Sequence, residues 1–328
     1  MTSANYPPTG GDPPVGQKPF VLAHLSDPHI SNMRVVRLPD LLNKRMYGYL
    51  RWKLHRGAEH RGPVLPALLE DLRQHRPDHV AVTGDITHLS LPAEFEATAK
   101  WLRSIGPPDQ VTVIPGNHDA YVATEWDDTH AHWSDYMLSD EAPTPTAPRD
   151  GIYGIFPSWR ARGPLALIGI CTAHPSPPYL AVGGIGADQL QRLEEILAQA
   201  ARSNLFRVVL IHHPPAAGTV SWRKRLTDAA RFRALLEQYG ADLVLHGHAH
   251  RASRNQLPVP GGNVQVVGAP SSSALGRSHG RMARYYIYRI APADAGWNVA
   301  LTVRIYDPAT QAFVTESEEQ LNVPKRQR

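Results

Sequence analysis

The chain has 328 residues, of which 42% are apolar and 20% charged, a composition that builds a sizeable core and excludes a disordered protein. Its net charge of +4 suits an anionic partner such as a phosphate ester, a nucleotide or an anionic membrane surface, and does not single out nucleic acid. With 17 histidines and one cysteine, Cys171, it has neither an intramolecular disulfide nor a Cys-rich zinc site. Any metal must be held by His, Asp, Asn and Glu.

Residues 1–19 are rich in Pro, Gly and Thr and read as a disordered tail without the apolar segment of a secretory signal. No stretch approaches the ~20 apolar residues of a membrane span, so the expectation is a soluble cytoplasmic protein. FVLAHLSD (20–27) is an apolar run with a polar end, a buried strand. A basic insertion follows at 33–61. The spacing of Val64, Leu65, Leu68, Leu69 and Leu72 predicts a helix over 62–76. DHVAVTGD (78–85) is a second buried strand, 92–105 a helix with Phe95, Ala99 and Leu102 on one face, and QVTVIPGN (110–117) a third strand. This alternation predicts parallel strands with helices packed on the sheet.

Residues 122–150 are polar and Pro-rich and read as a cap-like insertion. Strands are then predicted at 165–173, 206–215 and 241–250, and helices at 187–202 and 228–240, the latter with Gly240 as C-cap. NVQVVGAP, ARYYIYRIA and WNVALTVRIYD alternate more regularly and predict antiparallel strands completing a second sheet. The folded domain is expected over 20–315, with 316–328 as a polar basic tail.

The apolar strands keep ending in metal-ligand residues. The first delivers Asp27-Pro28-His29, the second Gly84-Asp85 and the third Gly116-Asn117-His118-Asp119. Later strands deliver His212-His213-Pro214-Pro215 and His246-Gly247-His248-Ala249-His250. Ligands of open α/β sheets bind outside the carboxyl ends of the strands, so topology alone gathers these groups at one edge. The mixture of imidazole, carboxylate and amide oxygen suits Mn, Fe, Zn, Co or Ni better than Ca or Mg. Seven candidates exceed one tetrahedral ion and suit two ions sharing a carboxylate.

The order D-x-H, G-D, G-N-H-D, H-x-P-P, G-H-x-H resembles the calcineurin-like metallophosphoesterases over about residues 20–250. The resemblance implies a four-layer α/β/β/α sandwich of two mixed sheets, with the metal site at the carboxyl ends of the strands. It implies that Asp27, His29 and His250 bind one ion, that Asn117, His212 and His248 bind a second, and that Asp85 bridges them. The two ions would be divalent or mixed-valence Mn, Fe or Zn. It also implies that a hydroxide between the ions attacks phosphorus in line and that His118 protonates the departing oxygen. Elementary chemistry agrees: cations lower the pKa of water and offset phosphoryl charge, and an alkoxide needs a proton donor that titrates near neutrality.

Two positions depart from the family pattern. Pro28 stands where a non-proline residue is frequent, and it removes an N–H. His88 stands three residues after Asp85, where many members carry Asp or Asn to orient the catalytic histidine; Asp119 is an alternative orienting group. Asp119, His88, Arg277 and His279 are candidates for supporting or substrate contacts. His24, His213 and His246 read as core or sheet residues, because successive strand side chains face opposite ways. His130 and His132 read as surface residues of the insertion.

The 33–61 stretch carries eight Lys/Arg against two acids, with Leu38, Leu42, Met46, Tyr49 and Leu50 near one helical face. The bland reading is a helix packed on the fold with a solvated basic face. The sharper one is contact with an anionic membrane or an acyl substrate beside the metal site, with Tyr49 and Trp52 at the interface. The functional expectation is a dinuclear phosphoesterase acting on a small phosphoester, with a phosphodiester favoured. The alternatives are a UDP-2,3-diacylglucosamine pyrophosphatase at the inner face of the membrane, and a non-catalytic metal-binding interaction protein. Amidohydrolases also gather His and Asp at strand ends, but open with His-x-His where this chain has Asp-x-His.

Overall fold

In the computed structural model the described residues are 18–31, 36, 38–41, 43–51, 63–140, 151–276, 279–294 and 296–324. The predicted N-terminal tail up to residue 17, Arg277, Leu42, Trp52 and residues 141–150 of the expected cap lie outside them.

The first half follows the predicted alternation. Strand β1 (Phe20–Leu25) is followed by a short helix α1 (Arg45–Arg51), helix α2 (Val64–His75), β2 (His79–Val82), helix α3 (Pro92–Ile105) and β3 (Val111–Val113). The second half supplies β4 (Ser158–Arg162), β5 (Leu165–Ile170), α4 (Ala187–Arg202), β6 (Phe206–Ile211), α5 (Ala229–Tyr239) and β7 (Leu243–His246). The chain closes with β8 (Ser253–Val259), β9 (Gly262–Gly268), β10 (Arg284–Ala293), β11 (Gly296–Asp307) and β12 (Ala312–Pro324).

Two six-stranded mixed sheets result, in the orders β12-β11-β10-β1-β2-β3 and β4-β5-β6-β7-β9-β8. β1, β2 and β3 run parallel, as do β5, β6, β7 and β9, which aims all these carboxyl ends toward one edge. The period-2 rule sorts the second sheet's side chains between two cores. Leu165, Leu167, Val208, Leu210, Leu243 and Leu245 face the first sheet, in one cluster with Leu22, Val80, Val82 and Ile287. Ala166, Ile168, Val209, Ile211 and Val244 face α4 and α5 and meet Leu193, Leu197, Phe232 and Leu236. The four-layer α/β/β/α arrangement is thus the one the resemblance implies.

Three expectations are corrected. First, β10 and β11 do not complete the second sheet. β10 pairs antiparallel with β1 and extends the first, while β9 joins the second beside β7. Second, residues 316–324 are not a tail. β12 pairs with β11 from Ala312↔Asp307 to Pro324↔Gly296. Its polar side chains belong to an edge strand whose outer side meets water, which hides the strand from a hydrophobicity reading. Third, 122–140 is not a polar cap. Trp133, Tyr136 and Met137 are buried in the main core, and His130 is buried against Phe95 at 4.9 Å between ring centroids, while His132 is exposed. Arg160 on β4 pins this segment, donating to the carbonyls of Asp135 (2.5 Å), Leu138 (2.6 Å), Pro108 (2.6 Å) and Val111 (2.9 Å).

Candidate active site at the carboxyl ends of both sheets

The turns after β1 and β2 hold each other. Asp27 N–H donates to Gly84 O at 3.0 Å, and His29 N–H to Asp85 O at 3.1 Å. Pro28 falls between these two donors, so its missing N–H leaves the pairing intact. Asp27, His29, Asp85, His248 and His250 all have left-handed backbones, with φ of 52°, 46°, 53°, 65° and 49°. Asp and His tolerate this region better than most residues, but it still costs free energy. Gly116 has no room for a side chain, because a Cβ would meet the Asp85 amide nitrogen and carboxylate. Gly247 is equally confined by Ser26 and Asp27.

These turns bring all seven predicted ligand residues together. One cluster holds Asp27, His29, Asp85 and His250, and another holds Asp85, His212 and His248, with ligand atoms within 4.8 Å of one another in each. Asp27 Oδ1 lies 3.3 Å from His250 Nε2 and 3.9 Å from His29 Nε2. His212 Nε2 lies 3.3 Å from both Asp85 Oδ1 and Asn117 Oδ1. Asp85 is therefore common to both clusters. Backbone carbonyls orient three of the imidazoles. His212 Nδ1 donates to Thr83 O (2.7 Å), His29 Nδ1 to Thr87 O (3.3 Å) and His248 Nε2 to Lys224 O (3.0 Å), leaving the other ring nitrogen of each as a lone-pair donor.

The electrostatics of the cluster are unbalanced without a cation. Burial raises the Asp27 carboxyl to about 7, with the charge of Asp85 adding to the rise and His212 opposing it. Burial resists charge on Asp85 as well, but His212 and His118 hold its carboxyl well below the ordinary range. Burial likewise resists charge on His212, yet Asp85 outweighs it and lifts the imidazole to about 9. Asp27 Oδ1 is buried and receives no hydrogen bond. An orphaned carboxylate oxygen facing two imidazole nitrogens is what a cation-binding donor set presents, so the residues fit the metals the resemblance implies.

His118 lines the cleft beside the clusters. Its Nδ1 donates to the backbone carbonyl of His88 at 2.6 Å, and its backbone N–H to Asp85 Oδ1 at 2.7 Å. The orienting group is thus a main-chain carbonyl, which the side chain at 88 does not need to supply. The His88 ring stacks on His118 at 5.2 Å, and Tyr121 also stacks on it, at 5.3 Å. Asp119 has a different task. Its carboxylate accepts from Thr87 N (2.8 Å), Ile86 N (3.2 Å) and Gly116 N (2.8 Å), tying the second ligand turn to the third. Of the remaining candidates, His279 opens the 3-10 turn His279–Arg281. His24 and His246 are core residues as expected, and burial lowers their imidazoles to about 3 and about 4. His213 is buried against Thr172 Oγ1 at 2.7 Å.

Glu94 was not singled out by the sequence. It is fully buried on the first turn of α3, and its Oε2 accepts from the backbone of His88 (3.3 Å), Leu89 (2.8 Å) and Leu91 (3.1 Å). The sequence offers little signal for it: Glu94 accepts the Leu91 N–H as the glutamate of a capping box does, but Leu91 has no side-chain oxygen to make the other half of that signature. It shapes the turn whose carbonyl orients His118. Burial raises its carboxyl to about 7 from 4.5, against the pull of those backbone donors. The folded state therefore binds the extra proton, and the stability this proton contributes is lost as pH rises between about 4.5 and 7. Relative to Glu94→Gln, the wild type should lose about 3 kcal/mol across that window in urea titrations. A difference that stays constant with pH would contradict this.

The comparisons with known proteins agree with this geometry. The model of the calcineurin-like phosphoesterases matches residues 20–252, and the chain belongs to that family. A protein of Synechococcus sp. named "probable cyclic nucleotide phosphodiesterase" is 27% identical over 194 residues, covering 58% of this chain and 64% of the relative. The glycerophosphodiester phosphodiesterase GpdQ of Enterobacter lignolyticus is 31% identical over 100 residues, 30% of each chain. The matched stretches thus span less than two thirds of either relative. Among solved structures, a dimetal phosphatase from Danio rerio superposes with a TM-score of 0.57 at 12% identity, covering 91% of this chain and 99% of that one. The purple acid phosphatase PPD1 of yellow lupin gives 0.53 at 15% identity, covering 94% and 55%. At these identities the two structures bear on the fold.

Proposed function

We propose that the chain is a dinuclear metal-dependent phosphoesterase that hydrolyses phosphodiesters. The observation that carries this is two donor clusters that share Asp85 beside a cleft lined by Asp85, Asn117, His118, His248 and His250. Asp27, His29, Asp85 and His250 would hold one ion; Asp85, Asn117, His212 and His248 would hold the other. Divalent Mn, Zn or Fe, with a mixed-valence pair as a variant, suits this donor set. Bound ions supply Lewis acidity, lowering the pKa of water and offsetting charge on the phosphoryl oxygens. Asn117 contributes a neutral oxygen and so leaves its ion more electrophilic than another carboxylate would. With Nδ1–H donated to His88 O, His118 turns Nε2 toward the leaving group and can deliver a proton to a departing alkoxide. Asp119 and Glu94 keep the ligand turns and the His88 carbonyl in register.

The lipid reading, hydrolysis of UDP-2,3-diacylglucosamine by a protein peripheral to the inner membrane face, draws support from one observation. Met46 and Leu50 on α1 and Trp222 near the cleft are 54%, 49% and 62% exposed. No helix among the described residues is long and apolar enough to cross a membrane. A purely metal-binding interaction protein would have no use for an oriented His118.

The test is a substrate panel with purified, Mn-loaded protein and metal analysis of the same sample. The expected result is two ions per chain, turnover of bis(p-nitrophenyl) phosphate above that of the monoester, and loss of turnover on chelation. Turnover of the diacylglucosamine lipid alone would transfer the assignment to the lipid reading. Metal binding without any turnover would transfer it to the non-catalytic one.

A further inference from the structure

The metal cluster leaves one wall of the cleft unexplained. Helix α1 is fixed to the catalytic turns by Arg45, which donates from Nε to Leu89 O (2.9 Å) and from Nη2 to Ser90 O (2.5 Å). Gly48 lets the helix approach closely, since a Cβ there would lie 2.6 Å from Leu89 Cδ2 and 2.9 Å from Tyr121 Oη. Docked this way, α1 brings Lys44 and Tyr47 to the cleft. The facing rim is the turn at 175–181, after β5. Lys44 Nζ joins the two rims, donating to Ser176 Oγ at 3.0 Å and to Leu180 O at 3.5 Å. Tyr47 meets Tyr179 edge to face, with ring centroids 4.7 Å apart at 63°.

Tyr179 is an unusual residue to find here. It is 69% exposed and has φ of 67°. A bulky side chain in the left-handed region is a genuine outlier that costs free energy and persists only where its surroundings impose it. The turn does so through Leu180 N–H donating to Pro177 O (3.1 Å) and Ser176 Oγ donating to Leu180 O (2.8 Å). Tyr121, below it, is buried with His118 stacked on its ring and Lys44 Nζ 4.4 Å from its centroid, so the open aromatic face of this wall is that of Tyr179.

We propose that Tyr47 and Tyr179 form the subsite for the organic group of the phosphoester, and that this group carries a planar aromatic ring of the nucleobase kind. Lys44 is a positioning residue that sets the separation of the two walls. The inference rests on the phosphoesterase reading and names its substrate class. A planar ring gains a stacking face from an exposed tyrosine, and the nearby cations Arg223 and Lys224 favour its ring and sugar acceptors. An acyl chain would need an apolar channel, whereas this part of the cleft carries Lys44, Arg223 and Lys224. A ring-free polyol would leave the tyrosine face in water.

The experiment compares two alkyl-leaving-group diesters on Mn-loaded protein, adenosine 3′,5′-cyclic monophosphate and glycerophosphoethanolamine. Tyr179→Ala and Tyr47→Ala should each raise KM for the nucleotide about ten-fold, the lower range of a base–aromatic stack, and leave kcat within about two-fold. Both constants for the ring-free ester should stay within about two-fold, and Tyr179→Phe should restore the nucleotide KM. Titrating adenosine monophosphate into the same proteins should show the ten-fold loss as affinity, independently of turnover. Equal losses on both esters, or an unchanged nucleotide KM with unchanged nucleotide affinity, would overturn the subsite. Wild-type protein inactive on every phosphoester would instead overturn the phosphoesterase reading.

Discussion

Replacing His118 by alanine should lower kcat on an alkyl phosphodiester by roughly 10²- to 10⁴-fold, the range that a positioned general acid supplies. The same variant should lose far less on bis(p-nitrophenyl) phosphate, because a nitrophenolate departs without a proton. Metal content should remain two ions per chain, since the backbone N–H to Asp85 Oδ1 is retained by alanine and the His118 ring meets the donor His29 edge to face at 4.9 Å without belonging to either cluster that holds Asp85. The contrast between leaving groups is the decisive readout. Full activity on the alkyl ester would remove the proton role, and loss of metal would show that His118 is a ligand. The orientation of the imidazole makes the prediction sharp. Its Nδ1 is committed to the His88 carbonyl at 2.6 Å, so a single nitrogen is left for the leaving group.

Asp85→Ala should have the second large effect, and on a different observable. Asp85 belongs to both donor clusters, is fully buried, and accepts the His118 amide. Its removal should reduce metal content from two ions to below one per chain. Turnover should fall by more than the roughly 10- to 100-fold that changes beyond the direct ligands produce. Asp27→Ala, by contrast, removes a ligand from one cluster only, so retention of a single ion there and of none in Asp85→Ala would establish the bridge. Equal stoichiometry in the two variants would argue against it.

How far the sequence carries this picture depends on what each residue's role rests on. The ligand-bearing turns were legible because an apolar strand followed by Asp, Asn or His is a pattern in one dimension, and parallel topology then gathers the ends. Asp27, Asp85, Asn117, His212, His248 and His250 all come together on that basis. The orientation of His118 was not legible. It depends on a carbonyl, and every residue has one, so the identity of residue 88 carries no signal. β12 was missed because an edge strand with one wet side looks like a polar tail. The 122–140 segment looked like surface because its buried Trp133, Tyr136 and Met137 are spread among polar neighbours and held by Arg160, a residue far along the chain. The 33–61 stretch split into pieces. Tyr49 packs on the small Leu89–Leu91–Tyr121 cluster, while Met46 and Leu50 face solvent, so the single apolar face read from the sequence does not form over α1.

The left-handed backbone at Asp27, His29, Asp85, His248 and His250 bears on how this chain can change over generations. At about 1 kcal/mol or more for each such residue, these turns together weigh on the same scale as the net stability of a whole domain. Glycine would relieve that strain at each position while deleting the side chain. The same side chains accept the His248 and His118 amides and donate to Thr87 O and Lys224 O, so the strained turns and their present identities hold each other in place. A duplicated copy freed from function would accordingly gain little from a single glycine at Asp27 or Asp85, because the relief of backbone strain is offset by the amides left unpaired.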